Sequence, residues 1–412
     1  MSSAPISSNI LAEGMQELLF LCHRMPFPPD KGDKIRSWNF VQHLARRYRV
    51  HLGCFIDDTR DWAFTDTVRA LCDECCFVAL EPRWARLRAL RGLLDGRPLT
   101  LPYYLDAKLA RWARMILARP GLARIFVYCS AMAQYVPVEA RRSRRCVVDL
   151  VDVDSEKWLD YAQRATPAKA WLWRREGGRL RHVEKEIAES ADATIVATMP
   201  EMNLLQRFAP DAASRAAWIP NGVDSEYFSP GRRYDVLPDM TGTPLVFTGA
   251  MDYWPNAEAA IYFAREIMPA VRKRIPDARF FVVGANPTPA VIALAAPDIV
   301  VTGRVPDVRP YLMGARAVVA PLRIARGVQN KVLEGMAMGR PVIASPDAFI
   351  GIDATVESEI LVADGPIAFV DAICRAVLSD TGEIIGRQAR RRVIANYTWS
   401  ASFAKLDTIL DA

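Results

Sequence analysis

RIARGVQNKVLEGMAMGRPVIAS, residues 323–345, is the stretch on which the reading of this chain turns. It follows the apolar run AVVAPL, so Gly327 stands where the chain leaves a buried strand and enters a helix predicted over Val328–Met338. The first turn of such a helix carries unpaired N–H groups and the positive end of the helix dipole, which suit a diphosphate. Lys331 lies one turn in, within reach of the same phosphates. Glu334 follows three residues on, on roughly the same face, and its carboxylate can accept two hydrogen bonds from ribose hydroxyls. Gly339 ends the helix. An amphipathic helix with Lys331 and Glu334 as solvated charges fits the same residues, and the segment by itself does not separate the two.

Working outward, strands and helices alternate on both sides. QELLFLC (16–22) reads as a buried first strand, the loop HRMPFPPDKGDK follows, and Ile35–Tyr48 has helical spacing of Trp38, Val41, Leu44 and Ala45. RVHLGCF, IFVYCS, RCVVDLV and ATIVAT are further short strands. The pattern restarts at PLVFTGA (244–250) and runs through ARFFVVGA, IVVTG and RAVVAPL to PVIAS. Alternation of this kind predicts α/β architecture with parallel sheets covered on both faces. The segment between the halves is rich in Gly, Pro, Asp and Ser and reads as a linker. The expected domains are a flexible 1–15, a first Rossmann-like domain over 16–219, a linker over 220–243, a second domain over 244–395, and a final helix over 396–412 that crosses back. Two such domains facing each other would leave a central cleft at the carboxyl ends of their strands, where α/β sheets bind ligands.

The chain of 412 residues exceeds one ordinary core, which agrees with two domains. No apolar run approaches the ~18 residues of a membrane span. The first fifteen residues lack a basic segment followed by an apolar one, so no secretory signal is expected and the chain reads as cytosolic. The eight cysteines show no second pair at zinc spacing, and reduced structural thiols are expected in place of a metal site. The net charge of +6 is modest, but its placement is not. Between Pro82 and Arg124 ten Lys/Arg stand against two acidic residues, Asp95 and Asp106, interleaved with Trp84, Leu87, Leu90, Leu93, Leu94 and Trp112. That composition suits an anionic membrane surface; a solvated helical face fits it equally. No reader module for nucleic acid is present.

With these segments in order, the sequence resembles the family 4 retaining glycosyltransferases of GT-B fold. EGMAMGRPVIA matches a family segment whose Glu binds the donor ribose, here Glu334. MPFPPDKGDKIR (25–36) resembles the N-terminal loop that reaches donor phosphates and acceptor, which singles out Gly32. IPNGVDSEYF (219–228) resembles the domain junction, FTGAMDYWPN (247–256) the first strand and loop of the donor domain with Gly249, and VTGRVPDVRPYL (301–312) the loop that cradles the base, with Arg304 and Val305. PPDKGDKIRSWN together with VDVDSEKW looks closest to sugar transferases of bacterial exopolysaccharide clusters linked to exosortase (PEP-CTERM) sorting. The resemblance implies a nucleotide-diphosphate sugar as donor, retention of anomeric configuration, a glycan or lipid-linked acceptor, no cofactor or metal, and a place on the inner face of the cytoplasmic membrane.

The family's upstream Glu of this motif is replaced by Arg326, so Gln329 and Asn330 are expected to take over sugar contacts, while the helix start at Gly327 holds the diphosphate and Lys331 with Arg304 or Arg326 carries the phosphate charge. Lys34 and Arg36 either supply charge to phosphate or are solvated. On the acceptor side, His23 ends the first strand. Asp152 emerges at the carboxyl end of VDLVDVD, where a carboxylate could take the acceptor's proton; helix capping is the other reading and the preferred one for Asp154. The catalytic candidates are thus Asp152, His23 and Glu334. A nucleotide-sugar epimerase of the same fold and a non-catalytic nucleotide-binding protein are the alternatives.

Overall fold

The computed structural model describes residues 15–163, 165–235, 237–325 and 327–412. The chain forms two units. The first ends at Ile219 and is completed by Phe403–Ala412; the second is Pro220–Ser402. Among the described residues the first unit holds one parallel sheet of seven strands, β1 (Glu17–Cys22), β2 (Arg49–Ile56), β3 (Glu74–Ala79), β4 (Leu122–Tyr128), β5 (Arg145–Val151), β6 (Ala193–Val196) and β7 (Ala216–Trp218), in the order β3-β2-β1-β4-β5-β6-β7. The second unit holds six, β8 (Thr243–Thr248), β9 (Ala278–Val283), β10 (Ile299–Gly303), β11 (Ala317–Ala320), β12 (Val342–Ala344) and β13 (Leu361–Val362), in the order β10-β9-β8-β11-β12-β13. Both are doubly wound, and the order reverses between β1 and β4 in one sheet and between β8 and β11 in the other. Loops at such a reversal diverge and leave a crevice at the strand ends.

The strands read as continuous apolar runs because helices cover both faces of each sheet. In β1, Leu18, Leu19, Phe20, Leu21 and Cys22 are all fully buried, with Phe20 opposite Leu52 on one side and Phe126 on the other. The helices that shape the sites are α1 (Gly32–Leu44), α2 (Pro82–Ala89), α3 (Arg91–Leu94), α4 (Thr100–Tyr103), α5 (Ala107–Leu117), α6 (Asp154–Gln163), α7 (Pro167–Ser190), α8 (Asn330–Ala337), α9 (Thr381–Asn396) and α10 (Trp399–Asp411).

Residues 220–243, expected as a linker, are built into the second unit at their start. Val223 pairs with Thr398, and Arg390 of α9 donates to the carbonyls of Phe228 (3.0 Å) and Ser225 (3.3 Å). The chain then returns: Phe403 stacks on His43 with ring centroids 4.2 Å apart, His43 lies 2.8 Å from Asp407, and Arg124 and Arg145 donate to the carbonyls of Leu410 and Ile409, each at 3.1 Å. Cations on the last carbonyls of α10 suit its dipole. His43 and His51 are structural, the latter buried 2.9 Å from Glu17. No described helix is long and apolar enough to cross a membrane.

Candidate functional site

In the second unit, β8 and β9 are each followed by a glycine, Gly249 and Gly284, because their backbones nearly touch there. A Cβ on Gly284 would overlap the Gly249 carbonyl, and one on Gly249 would lie 2.7 Å from Asn256 Nδ2 and 3.2 Å from Lys331 Nζ. Gly249 and Lys331, both expected on the donor side, thus lie next to each other. Asn256 is the residue that the sequence reading missed. It is buried, donates through Nδ2 to the Ala250 carbonyl at 2.9 Å, and turns Oδ1 onto the Lys331 ammonium. The ammonium also lies 4.7 Å from the centre of the Phe247 ring. Burial lowers the Lys331 pKa to about 7, against the pull of Glu334, and burial raises Glu334 to about 7, against Lys331.

Around this pair, Asn330 opens α8 and its buried Oδ1 has no hydrogen-bond partner among the described residues. Gly327 adopts φ +67°, a conformation a side chain would strain, and Gln329 Nε2 lies 3.5 Å from its carbonyl. Tyr227 is covered by the Arg309 guanidinium, 3.6 Å from its ring centre, and Asp307 holds that guanidinium at 2.6 Å. Burial raises the Tyr227 hydroxyl, with Asp307 and Glu334 adding to it. Gly303, with φ +67° and open space around it, ends β10; Arg304 beyond it is exposed and Val305 half-buried. Arg326 lies outside the described residues.

The first unit carries a cavity of about 680 Å³ at its own strand reversal. Its floor is made by His23 and Arg24 after β1, Tyr128 and Cys129 at the end of β4, and Leu150–Asp152 at the end of β5. His23 Nε2 lies 3.3 Å from Asp33, and its ring is parallel to Tyr128 with centroids 5.8 Å apart. Arg24 bridges Asp33 (2.5 Å) and Asp57 (2.8 Å). Burial works to lower the His23 pKa, but the Cys129 sulfur and the Asp33 carboxylate raise it well above the ordinary histidine value. Asp33 is correspondingly held below the carboxylate range: burial opposes this, and His23 and Arg24 prevail. Asp152 lines the cavity as expected. It is aimed there by Val151, a β-branched residue at φ +68°, a conformation that costs about 1–3 kcal/mol.

Two expectations on this side are corrected. Asp154 is the first residue of α6, but the amides of Val153 and Ser155 are capped by carboxylates from other helices, Glu201 at 2.7 Å and Glu184 at 3.0 Å. Burial pushes Glu184 up to about 8, with Ser155 opposing it. Lys34 is buried 2.6 Å from Asp61, and Arg36 is fully buried with Nε 2.7 Å from Asp149 and Nη1 2.9 Å from the Ile219 carbonyl. Neither is solvated nor open to a phosphate. Gly32 begins α1 at the surface, and the next residue, Asp33, is the one that lines the cavity.

Two parallel sheets, each with a 3-2-1-4-5-6 core order, make this a protein of GT-B fold. Residues 242–379, within the second unit, match the family model described as glycosyl transferases group 1. The chain is similar in structure to Anabaena HepE in complex with UDP (TM-score 0.65, 13% identity, covering 96% of this chain and 99% of that one). It is also similar to sucrose-phosphate synthase from Thermosynechococcus elongatus (0.65, 18%, 96% and 98%). A third is WaaG, a glycosyltransferase involved in lipopolysaccharide biosynthesis (0.64, 14%, 95% and 99%). No curated protein matches the chain by sequence.

Proposed function

We propose that this chain is a retaining glycosyltransferase that takes a sugar from a nucleoside-diphosphate sugar held by the second unit and passes it to an acceptor held by the first. The observation that carries this is the half-buried Lys331 ammonium at the start of α8, gripped by Asn256 beside the Gly249 turn, inside the stretch that matches glycosyl transferases group 1. Lys331 and the α8 amides hold the diphosphate, and Glu334 accepts from the ribose hydroxyls. Negative charge builds on the diphosphate as the glycosidic bond breaks, so fixed donors there act on the transition state. HepE was solved with UDP and with UDP-glucose, which supports a nucleotide sugar as donor. The family-4 assignment, the hexosyl donor, the exopolysaccharide or cell-surface role, metal-free transfer and attachment to the inner face of the membrane follow from the motif resemblance and the basic 83–124 segment.

Glu334→Ala is expected to weaken nucleoside-diphosphate binding, since a hydrogen bond to a charged group contributes about 1.5–3 kcal/mol. A thermal-shift panel of UDP, GDP and ADP and their sugars on both proteins reads this directly. Unchanged shifts in the variant would remove Glu334 from the site. On the acceptor side Asp152→Asn is expected to lower turnover about 10²–10⁴-fold, the range of a general base, with nucleotide binding intact. Full transfer by that variant would end its role.

A further inference from the structure

The floor of the first-unit cavity holds a sulfur that sugar transfer leaves unused. Cys129 follows β4 at φ +77° and ψ +156°, a backbone conformation that a side chain rarely adopts. The turn is fixed on both sides. The Cys129 amide donates to the Asp149 carbonyl at 2.8 Å, and the Cys129 carbonyl accepts from the Met132 amide at 3.2 Å. The half-buried thiol thereby joins His23 and Asp33 in lining the cavity. Of the other cysteines five are buried, and Cys72 and Cys75, the two that are not, do not line it.

His23 is built to serve that sulfur. Its Nε2 faces the Asp33 carboxylate at 3.3 Å, and Arg24 holds the same carboxylate from the other side. Tyr128, parallel to the imidazole, and Tyr104, edge-on to it, fix the ring, each with centroids 5.8 Å away. The second ring nitrogen, Nδ1, is buried and makes no well-formed hydrogen bond among the described residues. Cys129 is the sulfur that acts on this ring. Burial works to lower the His23 pKa, but Cys129 and Asp33 raise it well above the ordinary histidine value, so the ring carries a proton at neutral pH. A thiol, an imidazole and a carboxylate in that succession activate a sulfur nucleophile, because a charged imidazole favours the thiolate. The contact is loose, as such contacts commonly are before substrate binds.

We propose that Cys129 is a nucleophilic thiol, relayed by His23 and Asp33, that exchanges with a peptide-sized disulfide bound in this cavity. The room and the charges select that class of reagent. The cavity of about 680 Å³ is far larger than a peroxide needs, and its opposite wall, from α2, α4 and α7, includes Arg86, Tyr103 and Trp173. Arg24, Arg86 and Lys157 stand around it against Asp152 and Asp154, a mixture that suits a zwitterion. In the exchange the Cys129 proton resides on His23. The sulfur attacks one sulfur of the disulfide, a new S–S bond forms as the old one breaks, and the leaving thiolate takes the proton from His23. The products are a mixed disulfide on Cys129 and one free thiol. The adduct fills the floor that Asp152 shares and closes the cavity to other ligands until a thiol reductant removes it.

The test uses the full chain and needs no sugar acceptor. Iodoacetamide at pH 6.5, followed by peptide mass spectrometry, should label Cys129 about tenfold faster than the thiol of free glutathione, which is mostly protonated at that pH. His23→Asn should slow Cys129 about tenfold at pH 6.5 and little at pH 9, where thiols ionise without help. Asp33→Asn leaves the ring in place and should remove part of the same advantage. Glutathione disulfide should leave a mixed disulfide on Cys129 that dithiothreitol reverses. Labelling of Cys129 no faster than free glutathione would overturn the proposal. So would an unchanged rate in a folded His23→Asn protein, or iodoacetamide labelling without any mixed disulfide from glutathione disulfide. If circular dichroism shows that His23→Asn does not fold, Asp33→Asn carries the comparison, and an unchanged rate there sinks the relay. All three residues lie in the first unit, so nucleoside-diphosphate titration of the same samples reports on the donor site separately.

Discussion

Lys331→Ala should lower kcat/KM for sugar transfer about 10²–10³-fold, the effect of removing one preorganised charge from a developing anion, and should leave the protein no less stable. The second half of that expectation comes from burial. In the nucleotide-free protein the ammonium is desolvated, and its pKa falls to about 7. A lysine whose folded pKa lies below its unfolded value binds fewer protons when folded, so its burial opposes folding most at low pH. The penalty is full below about 7 and fades as pH rises toward the unfolded value of 10.5. Alanine should therefore raise the melting temperature most below neutral pH and least near pH 10. Glu334 runs the other way: its folded pKa is raised from 4.5 to about 7, so burying its charged form opposes folding increasingly as pH rises through that window. Diphosphate reverses the balance by supplying the missing charge, and at pH 8 its binding should draw a proton onto Lys331. Calorimetry in buffers of different ionisation enthalpy measures that uptake. A Lys331→Ala protein that still binds nucleotide with the same proton uptake would place the diphosphate elsewhere.

The placement of this pair was legible in the sequence because it is local: a strand, a glycine and two charges three residues apart specify a helix start, although the segment alone left a ligand face and solvated charges equally open. Asn256 was not legible, although it lies in a segment that was read, because its role is set by the β8–α8 juxtaposition across 75 residues. The acceptor cavity shows the same contrast on a larger scale. Asp152 and His23 end strands and were found by that alone. The wall made by Arg86, Tyr103 and Trp173 comes from three helices with no shared motif, and only packing brings it to the floor. Composition flagged the 83–124 segment but could not say which way its leucines face. The structure shows the small residues inward and the large ones outward, the reverse of an ordinary surface helix.

The misjudged charges carry the other large effect. Arg36 sits near a Pro-rich loop among other basic residues, where sequence suggests solvent or phosphate, yet its partner is 113 residues away at the end of β5. Both Arg36 and Asp149 are 0% exposed. Burial pushes the Asp149 carboxyl up and Arg36 works against that. The guanidinium also holds the carbonyl of Ile219, the last residue before the chain leaves the first unit, and lies 4.7 Å from the Phe40 ring centre. Asp149→Ala leaves this cation buried without its counter-charge, and such a loss destabilises by about 3–5 kcal/mol. For a unit of this size that is a fall in melting temperature of about 10 °C. The double variant Arg36→Met/Asp149→Leu removes both charges and keeps the volume filled, so it should recover most of the loss. Nucleoside-diphosphate affinity of the folded double variant should equal that of wild type, because Lys331, Asn256 and Glu334 lie in the other unit. If Arg36 contacts phosphate after all, the double variant will regain stability and still lose the nucleotide.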